Sequence, residues 1–144
     1  MNKKIKALKE KFKIYDIDGY IVPKNDNYFT EYSKINRLKI ISNFSGSAGL
    51  AIILKNKNYL FTDGRYTIQS HIESGKNFKI ISYEKILNCN LFKNLTLGID
   101  PQLITYDQVK KFKFYEVNLK NIILMGTLYP KTMIILLSIQ TLTG

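Results

Sequence analysis

Apolar residues follow a helical spacing at the start of the chain and then gather into short runs. Ile5, Leu8 and Phe12 recur at the spacing of one helix face, and lysines occupy the other faces. This pattern predicts an amphipathic helix that lies on the domain; a helix at a membrane surface fits less well, because the apolar stripe is thin. Residues 20–22 then predict a short buried strand that ends at Pro23.

Two further helical segments are predicted before the next strand. Asn25 or Asp26 can cap a helix over residues 28–32, because a side-chain oxygen at that position accepts hydrogen bonds from the first backbone amides. Residues 37–44 predict a short helix or turn. This segment leads into the stretch around which the rest of the chain is organised.

Residues 43–66 contain the most regular pattern in the chain, a β-hairpin preceded by a turn of small residues. Residues 50–54 are apolar on both faces, as in a central strand that is covered from two sides. The polar residues 55–58 predict a turn, and residues 59–61 return as the partner strand. An Asp-Gly-Arg sequence follows the hairpin.

Strands and short helices alternate after the hairpin. Ile68 and Ile72 lie four residues apart, as on a helix, and Gly75 predicts a left-handed end to that helix. Thr105 and Gln108 have the spacing of a capping box, which predicts the start of another helix. The remaining predicted elements are strands at residues 78–83, 95–99 and 114–119, a broken helix at 83–94 and a helix at 106–112.

The order of these elements predicts the fold class. Strands that alternate with short helices, one antiparallel hairpin among them, indicate α/β: a single three-layer domain with a mixed β-sheet flanked by helices. A chain of 144 residues, of which 45% are hydrophobic, has the ordinary size of one domain and can build a proper core.

The last part of the chain departs from this plan. Two apolar runs after Asn121 are separated by a Tyr-Pro-Lys sequence, and neither is long enough to span a bilayer. They lack the polar alternation of a half-exposed strand or an amphipathic helix. They therefore either pack on something outside this chain or form an exposed apolar surface that favours aggregation. We therefore predict a domain at residues 1–118 and a divergent apolar tail at residues 119–144.

The basic composition points to no particular partner. The net charge is +11, but the only arginines are Arg37 and Arg65, and the lysines are scattered through every segment. A nucleic-acid surface usually gathers arginines and aromatic side chains on one face, so nucleic-acid binding is a third, weaker hypothesis. A single cysteine, Cys89, suits a reducing cytosol, and we interpret it as a packed side chain. No membrane span or secretory signal is recognisable, so we expect a cytoplasmic protein that binds neither nucleic acid nor a membrane.

Two motifs invite catalytic interpretations that their context does not support. Residues 45–49, SGSAG, precede a strand, whereas a phosphate-binding loop or a nucleophile elbow follows one. A tight turn that lets the backbone pack closely is the better interpretation. His71 is the only histidine and lacks a catalytic or metal-binding partner at a suitable spacing, which favours a surface position.

The segment at residues 63–66, Asp-Gly-Arg-Tyr, lies where a strand ends and a helix begins. The Asp63 carboxylate can cap that helix, and Arg65 projects from its first turn, at an edge where open α/β sheets commonly hold ligands. A guanidinium group holds a carboxylate or a carbonyl oxygen in fixed geometry. From the residues alone, Arg65 either contacts a ligand or pairs with Asp63 or a neighbouring acid.

Taken together, these segments resemble the N-terminal domain of Xaa-Pro aminopeptidases (aminopeptidase P), which has the creatinase/prolidase N-terminal fold. The resemblance is specific from about Asp18 to Gln69 and continues more loosely to about Asn118. The matching segments are residues 20–23, 31–32 and 37, followed by NFSGSAGLAII and FTDGRYTIQS.

The resemblance implies a function that this chain carries only in part. Such enzymes hydrolyse the bond between an N-terminal residue and a following proline. They use two divalent metals, usually manganese, which two aspartates, a histidine and two glutamates hold in a C-terminal domain. That domain is not recognisable here, so we expect no cofactor in this chain, no catalytic residue and an inactive isolated domain.

By the same resemblance, Arg65 matches an arginine that contacts the peptide substrate. The implied partners are a proline-containing peptide, a second copy of the chain or a separate catalytic chain. The alternative function is a non-enzymatic peptide-binding or subunit-interaction domain. The unrelated apolar tail suggests a truncated or frameshifted gene product, and aminopeptidase sequence in the downstream DNA would test that hypothesis.

Overall fold

The computed structural model describes residues 3–23, 37–46, 48–86, 90–101 and 103–122. These residues form four α-helices and a six-stranded sheet. The helices are α1 (Lys3–Tyr15), α2 (Arg37–Ser42), α3 (Thr67–Ser74) and α4 (Tyr106–Phe114). The strands are β1 (Gly19–Pro23), β2 (Leu50–Leu54), β3 (Asn58–Thr62), β4 (Lys79–Ser82), β5 (Thr96–Ile99) and β6 (Asn118–Asn121).

The strand order β4-β3-β2-β1-β5-β6 makes the sheet mixed. Strand β2 is antiparallel to both of its neighbours, β1 and β3, and the other neighbouring pairs are parallel. Five strands therefore end at the same side of the sheet, where β2 begins. We call this side the carboxyl edge, and Pro23, Leu50 and Phe61 lie there in register.

Each face of the sheet is covered by helices. Ala51 and Ile53 of β2 belong to one core, in which α1 contributes Ile5, Leu8 and Phe12. Leu50 and Ile52 belong to the other core, which α4 covers with Phe112 and other residues. The helix, the sheet and the second helix layer confirm the predicted three-layer α/β domain, and β2 is central as its doubly apolar pattern indicated.

The structure corrects three details of the predicted elements. Gly75, which follows α3, has a right-handed conformation with φ −62°, so the helix does not end in a left-handed glycine. The last strand is Asn118–Asn121 rather than residues 114–119, because α4 continues to Phe114. In place of a broken helix at residues 83–94 there are a short 3₁₀ turn, Tyr83–Lys85, and a turn at residues 91–94; residues 87–89 lie outside the described residues.

The sheet uses the chain as far as Ile122. The Ile122 side chain is buried, its amide donates to the Ile99 carbonyl at 2.8 Å, and its carbonyl accepts from the buried Tyr20 hydroxyl. Strand β6 thus crosses the predicted boundary at residue 118. The helix predicted at residues 28–32, Cys89 and residues 123–144 of the predicted tail lie outside the described residues, so the division at 118 stays a prediction.

Candidate functional site

The candidate site lies where β3 ends at the carboxyl edge. The hydroxyl of Thr62, the last residue of β3, donates to the Ala48 carbonyl at 3.0 Å. This bond ties the end of β3 to Ala48, shortly before β2 begins. The Asp-Gly-Arg-Tyr segment starts from a fixed point, because β3 is paired on both of its sides.

Asp63 caps the turn that carries Arg65, as the sequence predicted. Residues Gly64–Tyr66 form one 3₁₀ turn, and Asp63 precedes it in an extended conformation. The Asp63 Oδ1 atom accepts from the Arg65 amide at 2.9 Å, which satisfies a backbone donor that the turn leaves open.

The Arg65 guanidinium forms a two-point ion pair with the same carboxylate. Nη2 lies 2.8 Å from Asp63 Oδ2, and Nε lies 3.2 Å from both carboxylate oxygens. The sequence left two partners open for Arg65, a ligand and an acidic side chain. In the structure Arg65 pairs with the acidic side chain of Asp63. The hydrogen bond from the Arg65 side chain holds the pKa of the Asp63 carboxyl below its ordinary value. The Arg65 side chain is still 69% exposed, so a ligand can reach it.

Aromatic side chains pack beneath the Arg65 side chain. The Arg65 guanidinium carbon lies 5.1 Å from the centre of the Tyr66 ring, a distance at which a cation is attracted to the ring face. Tyr66 in turn meets the fully buried Phe44 edge to face, with ring centres 5.7 Å apart. Tyr66 also packs against the core on the α1 side of the sheet, so the exposed guanidinium stands on an ordered platform.

A second cluster fixes the loop beside this platform. Glu73 of α3 accepts from the Ser45 amide at 3.2 Å and from the Ser45 hydroxyl at 2.7 Å. The Gln69 amide group donates to Glu73 Oε1 and to Ser45 Oγ, both at 2.8 Å. These bonds, first of all the one from the Ser45 side chain, hold the pKa of the Glu73 carboxyl below its ordinary value. We call these three residues the Ser45 cluster.

The sequence interpretation did not identify the Ser45 cluster. The pattern at Ser45 predicts only a tight turn. The spacing of Gln69 and Glu73, four residues apart on one helix face, was the available signal. The packing interpretation of the small-residue turn is correct at Gly46, where a side chain would clash with the Phe44 ring. His71 is exposed, as expected, and its Nδ1 lies 2.7 Å from the Thr67 carbonyl.

The fold has a match among known protein families. Residues 4–122 match the model of the creatinase/prolidase N-terminal domain, from α1 to the end of β6. The chain belongs to the creatinase/prolidase N-terminal domain family. The match includes every described strand and the Asp63–Arg65 pair.

Named relatives and solved structures agree with this family. The chain is 37% identical over 123 residues to Xaa-Pro aminopeptidase 1 of Dictyostelium discoideum, which covers 76% of this chain and 20% of that protein. The X-prolyl aminopeptidase of Caenorhabditis elegans superposes with a TM-score of 0.70 at 23% identity, over 83% of this chain and 23% of that one. The N-terminal domain of the peptidase PepQ of Mycobacterium tuberculosis superposes with a TM-score of 0.68 at 18% identity, over 89% of this chain and 97% of that one.

The chain spans about a fifth of the length of the curated relatives that it matches. The worm enzyme is described as cytosolic, with a di-nuclear active site. Within the residues that our structure describes, no three His, Cys, Asp or Glu side chains come together in a group that could hold a metal ion. The described residues therefore do not fit a two-metal site.

A cavity of about 700 Å³ opens beside the carboxyl edge, between the Tyr83–Lys85 turn and α4. Leu50, Ile86 and Phe112 contribute apolar walls, and Lys110 and Lys111 stand among the lining residues. This cavity could not be predicted from the sequence, because it forms only where two distant segments approach. In the described ranges, no helix combines the length and the apolar character needed to cross a membrane.

Proposed function

We propose that this chain acts as the non-catalytic N-terminal domain of an Xaa-Pro aminopeptidase-like protein and contributes Arg65 to peptide recognition. The observation that supports this proposal is the family match across the whole sheet, together with an exposed arginine at its carboxyl edge that an ion pair with Asp63 orients. This edge is where open α/β sheets commonly bind ligands.

Arg65 can exchange its intramolecular partner for a ligand. Ion pairs between exposed side chains contribute little net stability, because water and salt screen them and because ordering both side chains costs entropy. Asp63 therefore holds the guanidinium in place without blocking it. A peptide carboxylate or carbonyl oxygen would accept the same two parallel N–H donors.

Arg65 substitutions test this role. We expect Arg65→Ala to weaken binding of a proline-containing tripeptide by about tenfold or more, because one charge-assisted hydrogen bond contributes roughly 1.5–3 kcal/mol. Arg65→Lys keeps the positive charge but loses the two parallel N–H donors of the guanidinium, so it should bind the peptide as weakly as Arg65→Ala does. Lys85 is an exposed cation on another turn, so Lys85→Ala should leave the peptide affinity unchanged. Calorimetric titration measures all of these affinities. Equal affinity of wild type and Arg65→Ala would reject the role of Arg65.

We further propose that the chain alone does not hydrolyse Xaa-Pro peptides. The relatives include an enzyme with a di-nuclear active site, and the described residues here do not assemble a comparable set of ligands. Purified chain with added manganese should release no N-terminal residue from an Xaa-Pro peptide above the rate of the buffer. Turnover that follows the protein through chromatography would contradict this prediction.

A second candidate function is a subunit-interaction domain, which would pair with a copy of itself or with a catalytic chain. Ile68 and Ile72 on α3 favour it, because their side chains are 78% and 79% exposed close to Arg65 in the chain. Exposed apolar neighbours often mark interaction sites. Light scattering of wild type and of Ile68→Ser/Ile72→Ser tests self-association: a dimer that only the double variant loses supports it, and a monomer in both excludes it.

The cellular setting is part of the proposal. We place the protein in the cytoplasm, as the described location of the worm enzyme suggests. We expect its partner to be a proline-containing peptide or a protein subunit, and not nucleic acid or a membrane. Titration of a fluorescent oligonucleotide at low and physiological salt would reveal the nucleic-acid binding that we do not expect.

A further inference from the structure

A lysine-lined cleft lies at the opposite edge of the sheet from Arg65. It has a volume of about 490 Å³ and is formed by α1, the β2–β3 turn and the connection from α3 to β4. Four of its nine described lining residues are lysines, whereas lysine and arginine together make up 22 of 144 residues in the chain. The four are Lys9, Lys57, Lys76 and Lys79.

The residues that the structure describes do not balance the charges in this cleft. Within the described residues, no carboxylate lines the cleft, and none of the four ammonium groups forms an ion pair. Lys9 is half-buried, and its partial desolvation lowers the pKa of its side chain. Like charges that converge on one cleft repel each other, and a cleft lined by one sign of charge focuses a positive field that attracts anions.

The segments that carry the lysines are held rigidly together. The Asn58 side-chain amide donates to the Asn77 carbonyl at 3.0 Å, which joins the turn of Lys57 to the turn of Lys76. Lys79 is fixed by strand pairing, since it lies opposite Tyr59 in the β3–β4 register. A ligand would therefore meet backbone segments that are already held together, and less binding energy would be lost in ordering them.

We propose that this cleft binds a compact multivalent anion of the oligophosphate class. Lysine ammonium groups are strongly hydrated point charges that bind phosphate oxygens, and four of them match an anion with several negative charges. Phe78 is the only aromatic residue among the described lining residues, and it is buried, so no exposed ring is available to stack on a base. These features favour a compact oligophosphate over a single-stranded nucleic acid.

Inorganic tripolyphosphate is the probe that tests this proposal, with the full chain in calorimetric titration. We expect one saturable site whose affinity falls as sodium chloride is raised, because salt screens exposed charges. Lys57→Gln/Lys76→Gln should weaken binding by about tenfold or more. Lys111→Gln/Lys113→Gln on α4 removes the same charge elsewhere and should change affinity less than about twofold. The four lysines replaced in these two variants are exposed, so both variants should fold, which circular dichroism would verify.

Two other outcomes would overturn the proposal. Equal losses in the two double variants, or several weak sites without saturation, would mean that the lysines act only as a general cationic surface. Tighter binding of a single-stranded oligonucleotide than of tripolyphosphate would assign the cleft to nucleic acid instead. Arg65→Ala should leave tripolyphosphate binding unchanged, so this test is independent of the proposed peptide site.

Discussion

At the scale of single residues, the carboxyl edge depends on two acidic side chains with different tasks. Asp63 holds Arg65 itself, through its amide and its guanidinium. Glu73 holds the neighbouring loop through Ser45. Both carboxyl groups have a lowered pKa for the same physical reason, which is that they accept hydrogen bonds in their charged form.

Replacing Glu73 should loosen the loop and destabilise the fold moderately. Glu73→Ala removes the acceptor of three donor groups and should lower the free energy of unfolding by about 1–2 kcal/mol. Glu73→Gln keeps an acceptor oxygen and should cost less. Glu10→Ala on α1, an exposed acid, serves as the control and should change stability by less than about 0.5 kcal/mol. Urea unfolding measures all three; a cost for Glu73→Ala no greater than the control would contradict this role.

The contribution of Glu73 should also depend on pH in a defined direction. Because its folded-state pKa is lowered from 4.5, its stabilising effect is complete above that value and is lost as the pH falls through the folded-state pKa. The stability difference between wild type and Glu73→Ala should therefore be constant near neutrality and shrink in acid below about pH 4.5. A difference that grows in acid would contradict the sign of the shift.

At the scale of elements, the predictions succeeded where the pattern is local. Three predicted features depend only on residues that are close together in the sequence, and the structure confirms them. They are the hairpin of β2 and β3, the buried face of α1 and the capping box of α4. The Asp63 cap could be predicted for the same reason. The Ser45 cluster could not, because Ser45 and Glu73 are 28 residues apart and meet only when α3 packs beside the loop.

The ends of the helices were the hardest feature to predict, because glycine did not mark the left-handed ends. Helices α1 and α4 end in left-handed residues that are not glycine, Asp16 with φ 54° and Glu116 with φ 62°. In both, the amide of the next residue bonds back to the helix: Ile17 to Phe12 and Val117 to Phe112. The strand predicted from residue 114 begins only at Asn118, and Phe114 is 80% exposed at the end of α4.

Asp16 offers a direct test of this helix end. Glycine adopts a left-handed conformation without the steric cost that a side chain incurs, so Asp16→Gly should raise the free energy of unfolding by about 0.5–1 kcal/mol. Asp16→Ala keeps the side-chain clash and loses the tolerance of aspartate for this conformation, so it should be destabilising. Thermal melts of both variants measure the effect; destabilisation by glycine would contradict the assigned geometry.

At the scale of the whole molecule, the sheet separates two kinds of surface. The carboxyl edge carries Arg65 on an aromatic platform, and the opposite edge carries the lysine-lined cleft. The family match explains the first surface as part of a peptidase-related domain. The second surface follows from this chain's own lysines and belongs to no prediction made from the sequence.

The most direct test of the peptide-recognition proposal is an NMR titration of the ¹⁵N-labelled chain with a proline-containing tripeptide. We predict saturable shifts that are confined to the carboxyl edge and centred on the amides of Ser45, Gly64 and Arg65, and that disappear in Arg65→Ala. Absence of shifts at that edge, or the same shifts in Arg65→Ala, would contradict the proposed peptide site.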